Sequence, residues 1–177
     1  MTSQHPDNDK LVHGYNRMME RVRDLMEKVE HETPPRLRQA IEFAKEKAVE
    51  LEELTLEEAE RIGEYLRRDM EDAAEYLASE EVEDLKAWFR FDLERIEEQL
   101  LEMFLSVADR ARLDMLDLEE RLEEAKEYRT GEITGPGTLV CIQCGERLHF
   151  HKTSRIPPCP KCHEARFSRD EKPDSSS

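Results

Sequence analysis

All four cysteines of this 177-residue chain lie after residue 140, as Cys141-Ile142-Gln143-Cys144 and Cys159-Pro160-Lys161-Cys162. Two residues between a pair of cysteines let the backbone fold back and aim both sulfurs at one ion. A second such turn completes a tetrahedral shell, which structural zinc fills with thiolates at about 2.3 Å. The pairs are separated by 14 residues, against about 15–20 for the usual all-cysteine site. A short β-hairpin within Glu146–Pro158 absorbs that difference. The spacing therefore predicts a structural Zn2+ held by Cys141, Cys144, Cys159 and Cys162. Four thiolates close the shell, whereas catalytic zinc keeps a position open, so no catalytic residue is assigned there. Thiol exchange is the other use of such pairs, but two pairs at this spacing favour metal.

The local sequence suits a metal-dependent fold. Between Gly137 and Arg169 the sizeable apolar groups are Leu139, Val140, Ile142, Leu148, Phe150, Ile156 and Phe167. A segment with so small a core needs a metal or disulfides to fold, and zinc contributes on the order of 10–16 kcal/mol to such peptides. Chelation is expected to unfold this part and leave most of the helicity. Thr138–Ile142, Arg147–His151 and Ala165–Arg169 read as strands. Gly145 stands after the first turn, where positive φ is commonly needed; His163 holds the matching place in the second, and Pro160 stiffens that turn. His149 and His151, two apart on a predicted strand, read as surface side chains.

The rest of the chain reads as helix. Leu11, Tyr15, Met18, Val22, Leu25 and Val29 recur at alternating steps of four and three, the seam of a coiled-coil helix. Pro34 and Pro35 stop it. Leu37, Ile41, Ala44, Ala48 and Leu51 mark a second helix. Thr55 with Glu58 fits a capping box opening a third, which carries Ala59, Ile62, Leu66, Met70, Ala73 and Leu77. Gly63 weakens that helix by up to ~1 kcal/mol. From Val82 to Arg129 no proline or glycine intervenes, which predicts one long fourth helix, capped by Ser79, with Trp88, Phe89, Phe91 and Phe104 where helices meet. Glu57/Arg61, Glu64/Arg68 and Asp117/Arg121 read as exposed pairs worth a few tenths of a kcal/mol each.

The expected class is mainly α, a long antiparallel helical or coiled-coil body with a small C-terminal β zinc ribbon. The divisions are a flexible 1–9, an acidic helical body over 10–130, a Gly/Pro linker over 131–137, the ribbon over 138–169 and a disordered tail over 170–177. The formal charge of -16 is uneven: residues 1–130 hold 20 basic and 37 acidic residues, residues 131–177 seven and six. So acidic a body repels phosphates, so nucleic acid is not expected on it. No apolar run reaches membrane-spanning length, and MTSQHPDNDK has no signal-peptide pattern. A cytoplasmic location follows, with reduced thiols.

Several segments together resemble a known family. They are Glu53-Leu54-Thr55, Arg67-Arg68-Asp69, Gly131-Glu132-Ile133, Leu139-Val140-Cys141 with Cys144, and Cys159-Pro160-Lys161-Cys162. Over about residues 11–168 the chain resembles the bacterial YbeL-type zinc-ribbon proteins, a family of unknown function. The resemblance implies a helical body, a four-cysteine ribbon and a bacterial cytosolic setting, and it supplies no catalytic residues. His163 departs from the expected glycine.

No nucleophile with its base, phosphate loop or HExxH occurs, so the chain reads as no enzyme. The expected function is a protein-interaction or regulatory module whose acidic body presents the ribbon to a protein partner. The alternative is a nucleic-acid- or RNA-polymerase-associated regulator. The latter rests on an architectural likeness to transcription factors that join a coiled coil to a cysteine zinc site, with Asp69, Glu71, Asp72 or Glu80, Glu81, Glu83, Asp84 as an acidic tip. The helical seams leave open a homo-oligomer through the helices.

Overall fold

The computed structural model describes residues 6–27, 36–78, 96–116 and 127–169, and all that follows concerns these. Their helices are α1 (Pro6–Glu27), α2 (Leu37–Glu50), α3 (Leu56–Ala78) and α4 (Glu98–Leu116). The expected a/d positions do the burying: Tyr15, Met18 and Val22 of α1 have no exposed surface, nor do Ile62, Leu66 and Met70 of α3. They meet Ile41 and Ala44 of α2 and Phe104 and Val107 of α4 in one core. The Thr55 amide donates to Glu58 Oε1 at 2.9 Å and the Glu58 amide to Thr55 Oγ1 at 3.1 Å, so the capping box closes from both sides. Gly63 has a packing reason. A Cβ there would stand 2.7 Å from Lys45 Cδ and 3.4 Å from Ile41 Cγ2, so the glycine lets α2 and α3 approach.

The fourth helix departs from expectation. Among the described residues it runs from Glu98, after a bend at Ile96, and Tyr128–Arg129 is a strand. An unbroken rod of that length would outrun α1 and α3, whose 22 and 23 residues span about 33–35 Å. With the break, Ile96, Leu100 and Phe104 remain on the common core. Residues 82–95 with Trp88, Phe89 and Phe91, the Ser79 cap, the stop at 34–35, the Asp117/Arg121 pair and the acidic run 80–84 lie outside the described residues.

Six short strands follow: β1 (Tyr128–Arg129), β2 (Ile133–Thr134), β3 (Gly137–Cys141), β4 (Arg147–Phe150), β5 (Ser154–Arg155) and β6 (Arg166–Arg169). The main sheet is antiparallel with order β1-β6-β3-β4, and β2 pairs with β5 in a second ladder. One face of the main sheet builds a separate small core of Tyr128, Leu139, Phe150 and Phe167, joined by Ile156. The segment 131–137, expected to be a linker, is instead structural. It forms β2, residues 133–137 are buried, and Ile133 enters the helical core. Its glycines and proline marked tight turns between short strands, which local composition does not distinguish from a tether.

Candidate metal centre

The four cysteines come from two turns of matching construction. The first follows β3; the second precedes β6. In the first, the Gly145 amide donates to the Cys141 carbonyl at 3.0 Å and the Cys141 amide to the Glu146 carbonyl at 2.8 Å. In the second, His163 donates to Cys159 at 2.9 Å and Cys159 to Glu164 at 3.0 Å. Gly145 has φ +79° and His163 φ +65°, so the second turn reaches the left-handed conformation without a glycine.

These turns bring the four sulfurs within 4.8 Å of one another. Across the site, Cys141 Sγ lies 3.5 Å from Cys162 Sγ and Cys144 Sγ 3.6 Å from Cys159 Sγ. Sulfurs 2.3 Å from one tetrahedral centre would lie about 3.8 Å apart, so the spacing suits a single ion of zinc's size.

The electrostatics point the same way. Burial opposes ionisation of Cys141, but the amides of Cys144 and Gln143 outweigh it and lower the thiol. Cys159 is lowered to about 7, burial again being outweighed, here by the amides of Cys162 and Lys161. The second cysteine of each turn moves oppositely. Cys162 rises to about 12: the Glu164 amide favours its thiolate, but burial and the other three thiols prevail. For Cys144 the Glu146 amide is likewise overcome by burial and by Cys159 and Cys141. Four thiolates this close cannot all ionise unless a cation offsets their charge, and a dication is what this donor set fits.

Among the other histidines, His149 Nδ1 lies 3.0 Å from Thr138 Oγ1 on the neighbouring strand. His151 falls in the bend beyond β4 rather than on it. Neither joins the cysteine cluster.

A second constellation lies where the β region meets the helices, and sequence reading passed over it. Asp69 of α3 is wholly buried. It accepts from Tyr15 Oη, from the Gly135 amide at 2.9 Å, from Thr134 Oγ1 at 3.2 Å and from Arg169 Nη2 at 3.3 Å. One turn on, Asp72 accepts from Tyr128 Oη. Arg68 donates to Glu132 Oε1 at 2.7 Å and to the Ile133 carbonyl at 3.1 Å. The Tyr128 ring is flanked by both guanidinium groups, Arg68 at 4.0 Å and Arg169 at 4.7 Å from its centre. Burial pushes the Tyr15 and Tyr128 phenols well above their ordinary value, with Asp69 adding to it at Tyr15 and Asp72 offsetting Arg169 at Tyr128. Both therefore remain donors.

This network corrects two expectations. Arg68 is no exposed partner of Glu64, since its side chain is 11% exposed and committed to Glu132. Asp69 and Asp72 are 0% and 1% exposed and form no acidic tip. The signal in the sequence was the pairing of Arg68-Asp69 with Glu132-Ile133, segments that meet in space although 64 residues apart.

A family model described as a zinc-ribbon containing domain matches residues 24–171. The chain is also 29% identical over 130 residues to the uncharacterized protein YbeL of Escherichia coli strain K12, an alignment covering 73% of this chain and 79% of that protein. The YbeL of Escherichia coli O157:H7 gives the same figures. No solved structure matches.

Proposed function

Since the chain belongs to the family of zinc-ribbon containing domains, we propose that Cys141, Cys144, Cys159 and Cys162 hold one structural Zn2+ and that the chain is a non-enzymatic protein-interaction module. Its acidic helical body presents the ribbon to a protein partner. The observation that carries this reading is the double anchoring of the ribbon. At one end two matched turns gather four sulfurs within 4.8 Å. At the other, Tyr128 and Arg169 are locked against Asp69 and Asp72 of α3. A surface held from both sides is pre-organised, which lowers the entropic cost of binding.

When bound, the ion supplies charge compensation for the thiolates and ties the β3–β4 hairpin to β6. The chain's own residues do the rest: the amides of Gln143, Cys144, Lys161 and Cys162 stabilise thiolate at Cys141 and Cys159. Polymerase association is the weaker reading, because Asp69 and Asp72 are spent inside the fold.

Metal analysis and affinity purification test the proposal together. One zinc per chain is expected, lost when the four cysteines are changed to serine, along with any co-purifying protein. A ribbon that keeps its fold without metal, or partners retained by the four-serine variant, overturns it.

A further inference from the structure

Two exposed patches of the molecule have complementary character. Among the described residues the exposed large apolar side chains are Phe43, Leu51, Leu56 and Ile142. Leu51 and Leu56 flank the turn between α2 and α3, 57% and 67% exposed. Between and beside them stand the exposed Glu52 and Glu57, the latter with its side chain 76% exposed and paired with the also exposed Arg61 in a surface pair weak enough to exchange. Glu52 has φ +58°, in the left-handed region that a side-chain-bearing residue rarely adopts. The acid is thus held at the apex against the backbone's preference.

The other patch is the outer face of the ribbon sheet. Register puts Arg129 of β1 directly opposite Arg166 of β6, and the Ile142 amide, next along the row, donates to the Arg166 carbonyl at 3.3 Å. Tyr128 and Phe167 point to the buried face, so Arg129 and Arg166 point outward, their side chains 63% and 52% exposed. Like charges directly opposite on neighbouring strands are destabilising. Their present partners are Glu127 at 3.0 Å and Glu164 at 3.5 Å; the Arg129–Glu127 pair is exposed on both sides and weak for that reason.

We propose that the acidic, leucine-flanked α2–α3 turn of one copy docks on the Arg129–Arg166–Ile142 row of a second copy. Carboxylates meet guanidinium groups, and Leu51 or Leu56 meets Ile142. The proposal rests on the ribbon being an interaction surface and names its occupant. Within its own chain the turn packs on α1, Leu54 against Gly14 and Glu53 on Arg21. From Leu56 to the ribbon junction at Arg68–Asp72, α3 runs 12–16 residues, about 18–24 Å. Both copies carry -16, but charges beyond the Debye length of about 8 Å are screened at physiological salt, so contact is decided by the groups that touch. No aromatic side chain lies in this row to stack on a base, which favours a protein occupant over single-stranded nucleic acid. Because the two patches differ, each docked copy leaves one of each free, and association continues beyond a dimer as concentration rises. The contact is small, in the weak class below about 1,200 Å².

Sedimentation over a concentration series tests this with charge exchange, on metal-loaded full-length chains. Wild type is expected to gain mass with concentration. Arg129→Glu/Arg166→Glu, and separately Glu52→Lys/Glu57→Lys, are expected to weaken association by about tenfold or more. An equimolar mixture of the two variants, or the fourfold variant, is expected to restore it. The lysine variant is less negative than wild type, so its stronger association would mean that net charge alone governs and would overturn the proposal. So would association untouched by either exchange, or a wild type monomeric at every concentration. A monomer leaves the zinc and partner readings standing, since metal content and co-purification judge those separately.

Discussion

His163 and Gly145 occupy the same place in the two cysteine turns, with φ of +65° and +79°. The glycine bears no backbone penalty there, and the histidine does. His163→Gly is expected to stabilise the metal-loaded chain by about 1 kcal/mol. Gly145→Ala is expected to cost about 1–2 kcal/mol although nothing lies within 4 Å of the added methyl; thermal unfolding measures both. Asp69 is the most heavily engaged carboxylate described. Asp69→Ala leaves Arg169 buried against Thr134 and Tyr128 without its carboxylate, at a cost of about 3–5 kcal/mol. With Arg169→Met the loss should fall short of the sum, because the two act as a pair; a double-mutant cycle in denaturant reads the coupling. The clustering of the four cysteines was legible from spacing because a two-residue turn is a local constraint. Asp69 was not, because an acid near an exposed stripe and one buried by a distant strand look alike in one dimension.

At the level of elements, α3 joins the parts of the fold. Its first turn is closed by Thr55 and Glu58, and Thr55→Ala is expected to remove about 1 kcal/mol. The Lys10 ammonium, with the Thr55 amide, holds the Glu58 carboxyl below its ordinary range. That contribution is complete above the unfolded value near pH 4.3 and is lost as pH falls through the lowered folded value. The stability difference between wild type and Glu58→Gln should therefore shrink below about pH 4, measured by denaturation across an acid series. Helix periodicity read the interiors of α1, α2 and α3, since amphipathic spacing and caps are written locally, but α1 begins at Pro6, inside the stretch expected to be flexible, and Leu51 lies exposed past the end of α2. The periodicity failed where Ile96 bends and Tyr128 becomes strand. Nothing in the local residue types marks the bend at Ile96, and the strand at Tyr128 rests on pairing with the distant β6.

For the molecule as a whole, the consequential feature is that metal site and helical body share structural members. β6 runs from just after Cys162 to Arg169, and β1 ends in the sandwich around Tyr128. The helices have their own core, so chelation is expected to leave most helical signal at low temperature. It should also remove the contacts that Tyr128, Gly135 and Arg169 make to Asp69 and Asp72, which then return to water. The helical melting temperature should fall by roughly 2–4 °C for each kcal/mol of that packing lost. Circular dichroism melts with and without a strong chelator check this, and an unchanged melting point would show the two parts to be independent. By itself the sequence determined the four cysteines, the strands beside them, the caps and the apolar stripes, because each depends on residues within a turn or two. Only the tertiary structure decided that the expected linker is a buried strand, that Asp69 and Asp72 of α3 face inward and that four arginines sort between a buried junction (Arg68, Arg169) and an open sheet face (Arg129, Arg166). Those outcomes depend on which distant chain segment arrives to desolvate each charge, and no local pattern encodes that arrival.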